Sequence, residues 1–252
     1  MASKRPLVLV DLDDTLFQTA RKMPEGAPRT PATVDVHGQP NGYMTPVQQD
    51  VIGWLLASAD VVPVTARSVE AYRRVMLPFA HGAICSHGGV ILRADGTLDP
   101  DWHGRMTEAL RTFQDRLPAL SEATLQIGQA LGVSLRGWVA AEDGLCHYVV
   151  TKHNESDDAV LATVLAEVQA RGLLDGMHIH ANGNNLAFLP DGLDKRVAAH
   201  EWLRRDRERN GERPVLGFGD SITDLGFMDL CHMWATPARS QLAKVAEGLV
   251  HA

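Results

Sequence analysis

Asp11 and Asp13 stand two residues apart at the end of the apolar run Val8-Leu9-Val10, followed at once by Asp14 and Thr15. Carboxylates this close repel one another unless a cation joins them, and their hard oxygens suit Mg2+. Far along the chain, Val215-Leu216-Gly217-Phe218-Gly219 runs into Asp220, with Asp224 four residues on. Between these pairs lie Thr65, a hydroxyl ending the run Val61-Val62-Pro63-Val64, and Lys195, directly after the helix-capping Asp194. Each group has an ordinary reading by itself. Asp13, Asp14 and Thr15 could form a turn or cap a helix, Thr65 could merely end a strand, Lys195 could be a surface lysine, and Asp220 could cap the helix that follows. Taken jointly, at the ends of the elements that carry them, they describe a divalent-cation site beside a hydroxyl and an ammonium.

Such groups meet only if their elements form a parallel sheet, whose strands open at their carboxyl ends onto one crevice. Val8–Val10 and Val61–Val64 read as buried strands. Thr45-Pro46-Val47-Gln48 starts a helix, with threonine as cap, proline at the first helical position and glutamine three after the cap. Val47, Val51, Ile52, Trp54 and Leu55 then recur at helical spacing. A helix over about 68–77 and a strand at Ala83–Ser86 continue the strand–helix–strand alternation. Residues 23–42 are rich in Pro and Gly, and extended runs at Thr33–Val36 and Tyr43-Met44 suggest a hairpin; a segment of this kind is either a lid or binding flap, or a disordered surface loop.

From Gly88 the pattern changes. Gly89–Arg93 with Asp95-Gly96 reads as a hairpin, and an amphipathic stretch from about Trp102 to Leu131 is interrupted at Pro118. Strands follow at Val133–Ala140 and Leu145–Lys152 around Asp143-Gly144. A helix begins at Ser156-Asp157-Asp158 and ends at Gly172, and a last hairpin turns at Asn182-Gly183-Asn184. The order αββαββ implies an antiparallel sheet covered on one face. Residues 95–189 are therefore expected as an inserted α+β module, dividing an α/β core into 1–94 and 190–252. The core resumes with a helix from Asp194, the strand ending at Gly219, a strand at His232–Ala235 and a helix at Ser240–Gly248.

The chain has 252 residues, 45% hydrophobic and 22% charged, the make-up of a water-soluble globular protein with room for two modules. Its net charge of −7 speaks against a nucleic-acid surface, which needs concentrated positive charge. The Arg-rich run 204–209 interleaves acids, as a solvated helix face does. No apolar run approaches the roughly 20 residues of a membrane span, and Asp11 cuts short the run that a signal peptide would extend. With three cysteines in no metal-binding spacing, a cytoplasmic protein with reduced thiols is expected.

On these residues the chain resembles the haloacid dehalogenase superfamily of phosphatases. Asp11-Leu12-Asp13-Asp14-Thr15 stands as motif I, Thr65 as motif II, Lys195 where motif III belongs, and Gly219-Asp220-Ser221-Ile222-Thr223-Asp224 where motif IV belongs. The inserted module resembles the type-2B caps of sugar-phosphate phosphatases and phosphomannomutases. The match departs at Thr223, where Asn is commoner, at Ala66, where Gly is commoner, and at Ser86-His87-Gly88-Gly89, where related caps often show Asn-Gly-Ala. These departures bear on subfamily and substrate more than on the reaction. The resemblance implies a Rossmann-like core and a Mg2+-dependent phosphomonoesterase. Asp11 would attack phosphorus and form an aspartyl-phosphate, and Asp13 would protonate the leaving oxygen and later deprotonate water. Thr65 and the Ala66 N–H would hold a phosphoryl oxygen while Lys195 offsets developing charge. Asp11, the Asp13 main-chain carbonyl and Asp220 would hold the metal, with Asp224 as a ligand or as an acceptor behind it.

For substrate recognition, Arg67 either reaches the substrate or pairs with Glu70. Alternation puts Ser134, Arg136 and Trp138 on one face of a strand, and His178 and His180 on one face of another. If that is the open face of the sheet, Arg136, His178 and His180 would contact substrate. His178-Ile179-His180 also has the spacing of a metal pair, and Asn182 either touches substrate or simply turns its hairpin. The expected partner is a small phosphorylated metabolite, a sugar phosphate first, with neither nucleic acid nor membrane. Two other readings keep the same motifs: a phosphotransferase or phosphomutase, and a non-enzymatic phosphoacceptor switch.

Overall fold

Four aliphatic side chains, Leu7–Val10, form β1, buried on both faces as a central parallel strand must be. The computed structural model describes residues 4–155, 157–181 and 184–250, in two compact units, Met1–Asp99 with Asp194–Ala252, and Pro100–Leu193. In the first unit β1 is followed by the hairpin β2 (Thr30–Val34) and β3 (Pro40–Met44), then α1 (Pro46–Ser58), β4 (Asp60–Pro63), the single turn α2 (Val69–Tyr72), and the antiparallel pair β5 (Ala83–Cys85) and β6 (Val90–Leu92). Thr45 and Gln48 cap α1 reciprocally. The helix buries Ile52 and Leu55 in the cluster that holds Val8, Val10 and Val61, whereas Val47, Val51 and Trp54 of the same apolar series face solvent.

Two expectations change here. The helix expected over 68–77 is one turn long, because Val34 N–H donates to the Arg74 carbonyl (3.1 Å) and Met76 N–H to that of Ala32 (2.8 Å). Residues 74–76 thus pair with β2 instead of extending α2. The Pro/Gly-rich segment is accordingly a packed part of the unit, with Ala32 and Thr33 fully buried. The hairpin expected at Asp95-Gly96 forms, with Arg93 N–H on the Thr97 carbonyl (2.9 Å) and an antiparallel bridge from Leu92 to Leu98. A further turn joins β5 to β6 at Ser86–Gly88, where φ is +53°, +55° and +98°, and β5 meets the parallel sheet at a bridge from Ile84 to Val64.

The second unit comprises α3 (Pro100–Ala109), α4 (Arg116–Ala130), β7 (Leu135–Glu142), β8 (Leu145–His153), α5 (Asp158–Ala170), β9 (Met177–Ala181) and β10 (Leu186–Pro190). The helical stretch breaks before Arg116 and not at Pro118, which sits in the first turn of α4 where no N–H is required of it. Asp143 and Gly144 turn β7 into β8 at φ +48° and +77°. Asp157 caps α5 by accepting from the Ala159 and Val160 N–H groups; Ser156, and Asn182 with Gly183 of the last hairpin, lie outside the described residues. The antiparallel order is β7-β8-β10-β9. One face packs Val149 and Phe188 against Leu117, Leu120 and Ile127 of α4 and Leu161, Val164 and Val168 of α5.

The chain returns to the first unit with α6 (Lys195–Asn210), β11 (Val215–Phe218), α7 (Leu225–Met228), β12 (Met233–Ala235) and α8 (Gln241–Val250). The parallel order is β12-β11-β1-β4. Val10 lies level with Phe218 on one side and Pro63 on the other, so the chain leaves all three strands at one edge, carrying Asp11, Asp220 and Thr65 there. Among the described residues, no helix is long and apolar enough to cross a membrane.

Candidate active site

At that edge, Asp11 continues β1 by donating its N–H to the Phe218 carbonyl at 2.8 Å. Two residues beyond Phe218, Asp220 brings its carboxylate to Asp11, and ligand oxygens of Asp11, Asp220 and Asp224 all lie within 4.8 Å of one another. Gly219 permits this: a Cβ there would stand 2.5 Å from Asp224 Cβ and 2.7 Å from Met228 Sδ. Ser221 holds Asp224 through its N–H (3.0 Å) and hydroxyl (2.7 Å), both to Oδ2. Lys195, just inside the start of α6 where Asp194 caps the helix, donates from Nζ to Asp11 Oδ1 and Asp224 Oδ1, each at 2.7 Å. Thr15 turns its hydroxyl between Asp11 Oδ2 (3.5 Å) and Asp220 Oδ1 (3.4 Å).

The charges are unbalanced. Three buried carboxylates face a single ammonium. Burial, with the Asp224 and Asp13 charges added, pushes the Asp11 carboxyl well above the ordinary carboxylate range despite Lys195. Burial likewise lifts Asp220 to about 6, helped by Asp224 and Asp14. Asp224 goes the other way: burial opposes its charge, but Lys195 and the Ser221 bonds outweigh burial and hold it below its ordinary value. Burial disfavours the Lys195 charge too, yet Asp11 and Asp224 raise its affinity for the proton. Excess negative charge on hard, converging oxygens is the setting that a divalent cation such as Mg2+ fits.

Thr65 lies at the end of β4, fully buried, its N–H on the Ile84 carbonyl (2.8 Å) and its hydroxyl accepting from Arg67 N–H (3.1 Å). The hydroxyl proton remains a donor. Ala66, half-buried, fills the step between them. Asp13 stands outside the acidic cluster, its carboxylate gripped by the Arg67 fork at 2.6 and 2.8 Å. The alternative pair between Arg67 and Glu70 does not form, because Glu70 takes Arg74 instead (2.6 Å).

The remaining candidates belong to the second unit. Register aligns Trp138 with Val150, Val150 with Ala187 and Ala187 with His180. Arg136, Trp138, His178 and His180 therefore share the sheet face opposite α4 and α5. The first two are on one edge strand and the two histidines on the other, about 14 Å apart across three strand spacings. Arg136 Nη1 donates to Asn154 Oδ1 (2.9 Å), and Asn154 Nδ2 donates to the Ser134 hydroxyl (2.7 Å). His178 lies 3.6 Å from Asp191. Among the described residues, the metal-ligating group of three does not include the His178 and His180 pair. Thr15 and Ser221 lie within motifs I and IV, but sequence alone assigns neither a role. The Ser221-x-x-Asp224 spacing of a capping box is a local signal for Ser221, whereas nothing local shows that the Thr15 hydroxyl reaches Asp220.

No protein-family model and no curated protein matches the sequence. Solved structures match its backbone at low identity. Sucrose-phosphatase from Synechocystis sp. PCC6803, solved with sucrose and phosphate, gives a TM-score of 0.52 at 14% identity over 98% of each chain. A trehalose-6-phosphate phosphatase related protein gives 0.52 at 19% identity, over 97% of this chain and 98% of its own. A haloacid dehalogenase-like hydrolase from Bacteroides thetaiotaomicron gives 0.53 at 13%, over 98% of this chain and 100% of its own. Parallel sheet, α+β insertion and near-complete coverage agree: this chain has the fold of the haloacid dehalogenase-like hydrolases.

Proposed function

We propose that this protein is a Mg2+-dependent phosphomonoester hydrolase acting through an aspartyl-phosphate on Asp11, with sugar phosphates as its first substrates. The observation that carries the reading is the gathering of Asp11, Lys195, Asp220 and Asp224, from opposite ends of the chain, in one buried cluster. Asp11 attacks phosphorus in line with the bond to the leaving group. That bond breaks with its electron pair on the leaving oxygen, which takes a proton from Asp13. Asp13 then removes a proton from water, whose oxygen attacks the aspartyl-phosphate, releasing inorganic phosphate and restoring Asp11. Lys195 offsets charge as it gathers on the phosphoryl oxygens, and Asp224, fixed by Ser221, keeps the ammonium in place. Thr65 and the Ala66 N–H hold a phosphoryl oxygen. Asp11, Asp220, Asp224 and the Asp13 carbonyl would hold Mg2+, which when bound neutralises phosphoryl oxygens that would otherwise repel Asp11.

A sugar as the remainder of the substrate is supported by the sucrose-phosphatase and trehalose-6-phosphate phosphatase related neighbours and by an exposed aromatic on the sheet face opposite α4 and α5. There Trp138, half-exposed, has Lys152 Nζ 5.9 Å from its ring centre and Arg136 two residues away, an aromatic platform with donors beside it. Cysteines that form no disulfide among the described residues fit a reducing compartment, and a cytoplasmic location is part of the proposal. The test is phosphate release from a panel of hexose and disaccharide phosphates with Mg2+ or with a chelator. Asp11→Asn should abolish turnover while leaving a folded protein; substantial Mg2+-dependent hydrolysis by that variant overturns the assignment.

A further inference from the structure

Asp13 is the solvent-facing member of the aspartate set, its side chain 53% exposed. A free aspartate in that position samples several rotamers, and a carboxylate that must meet a leaving oxygen works best in one. Here both its oxygens are taken by a single guanidinium, Nε to Oδ2 at 2.6 Å and Nη2 to Oδ1 at 2.8 Å, the two-point geometry that fixes orientation as well as distance.

Arg67 is itself anchored along its whole length. Its third guanidinium nitrogen donates to the Ala71 carbonyl at 3.2 Å, and its Cζ lies 5.2 Å from the ring centre of the buried Phe17. Its N–H is on the Thr65 hydroxyl (3.1 Å), and its carbonyl accepts from Ser86 N–H (2.7 Å) in the left-handed turn. The same turn places Gly88 where a Cβ would stand 2.3 Å from the Asp194 carbonyl, against the cap of the helix that carries Lys195. An arginine meant for substrate would end on open space; this one ends on Asp13. Each Asp13 oxygen keeps a second lone-pair direction, so the carboxylate can exchange a proton while held.

We propose that Arg67 is a positioning residue that orients Asp13 for proton transfer, rather than a substrate ligand. This rests on the phosphatase reading above. Kinetics of Arg67→Ala, Arg67→Lys, Asp13→Asn and the double variant Arg67→Ala/Asp13→Asn test it, with a hexose 6-phosphate and with p-nitrophenyl phosphate, whose leaving group needs little protonation. For the hexose phosphate, Arg67→Ala should lower kcat about 10- to 100-fold with KM unchanged. Arg67→Lys, which keeps charge but not the fork, should fall between it and wild type. The loss should shrink with p-nitrophenyl phosphate and vanish when Asp13 is already Asn. A raised KM with unchanged kcat, or a loss that persists in full in the Asp13→Asn background, overturns the proposal in favour of a substrate contact. If wild type hydrolyses no phosphate ester, the phosphatase reading fails by itself. The pair is then judged by the Arg67 Nε–H resonance in a 15N spectrum, which Asp13→Asn must shift if the fork is real and leave unmoved if it is not.

Discussion

Replacing Lys195 with Met keeps most of the side chain's length and removes only the ammonium. In the structure that ammonium lies 2.7 Å from both Asp11 and Asp224, with side-chain exposures of 8% or less for all three groups. Removing one partner of a buried ion pair costs about 3–5 kcal/mol, because the other charge is left uncompensated. For a chain of this size each kcal/mol moves Tm by about 2–4 °C, so Lys195→Met should melt about 6–20 °C below wild type at pH 8 with divalent cations chelated. The pH dependence has a definite sign. The wild-type ammonium holds its proton more tightly than an ordinary lysine, so its contribution is fully present throughout the range from pH 5 to 8. In the variant, buried carboxylates without a counter-charge bind protons more readily folded than unfolded, so the variant regains stability as pH falls. Asp11, already raised in wild type by burial, is one of the groups through which this acts. The assay is a pair of melting series, wild type and variant, from pH 5 to 8. A variant as stable as wild type at pH 8, or a deficit that does not shrink in acid, would refute the electrostatic account.

Two further outcomes follow from the same cluster. Asp220, lifted to about 6 by burial beside Asp224 and Asp14, is protonated in acid, and a proton there competes with a metal ion. Stabilisation by added Mg2+ should therefore be clear in thermal melts at pH 8 and fade by pH 5, and an equal shift at both values would contradict the assigned ligand. Gly219→Ala puts a Cβ 2.5 Å from Asp224 Cβ. Overpacking of this kind costs about 1–3 kcal/mol, and activity should fall further than the lost stability explains; a variant with wild-type kcat would show that Asp224 is free to move.

Local rules read correctly where local chemistry decides. The unbroken aliphatic run of β1, the Thr45–Gln48 box, the Asp143-Gly144 turn and the Asp157 cap each sit where their residues indicate. The failures are tertiary. Residues 74–76 leave a helical pattern because β2, some forty residues earlier, offers them backbone partners. The turn at Ser86 and His87 uses left-handed backbone at two non-glycine positions, which propensity argues against, whereas the neighbouring Asp95-Gly96 turn follows its residues. Val47, Val51 and Trp54 repeat like core residues yet face outward, since periodicity locates an apolar stripe without saying how much of it a neighbour covers. In the site, the acidic cluster was legible because Asp11 and Asp220 follow the ends of two strands of one parallel sheet and Asp224 lies four residues on. The Arg67–Asp13 clasp was not, because 54 residues separate the partners and Glu70 lies nearer in the chain.

The placement of β1 between β4 and β11 also sets a timetable. Leu7 pairs with Val215, so a ribosome adding about 5–20 residues per second needs about 10–40 s after making β1 to supply that neighbour. Through this interval a fully apolar strand presents one edge of bare amide groups, the template on which stray chains can add. The intervening unit, with its own apolar cluster, emerges while the core is still half-made, and no competent acidic centre can exist until Asp220 has left the tunnel.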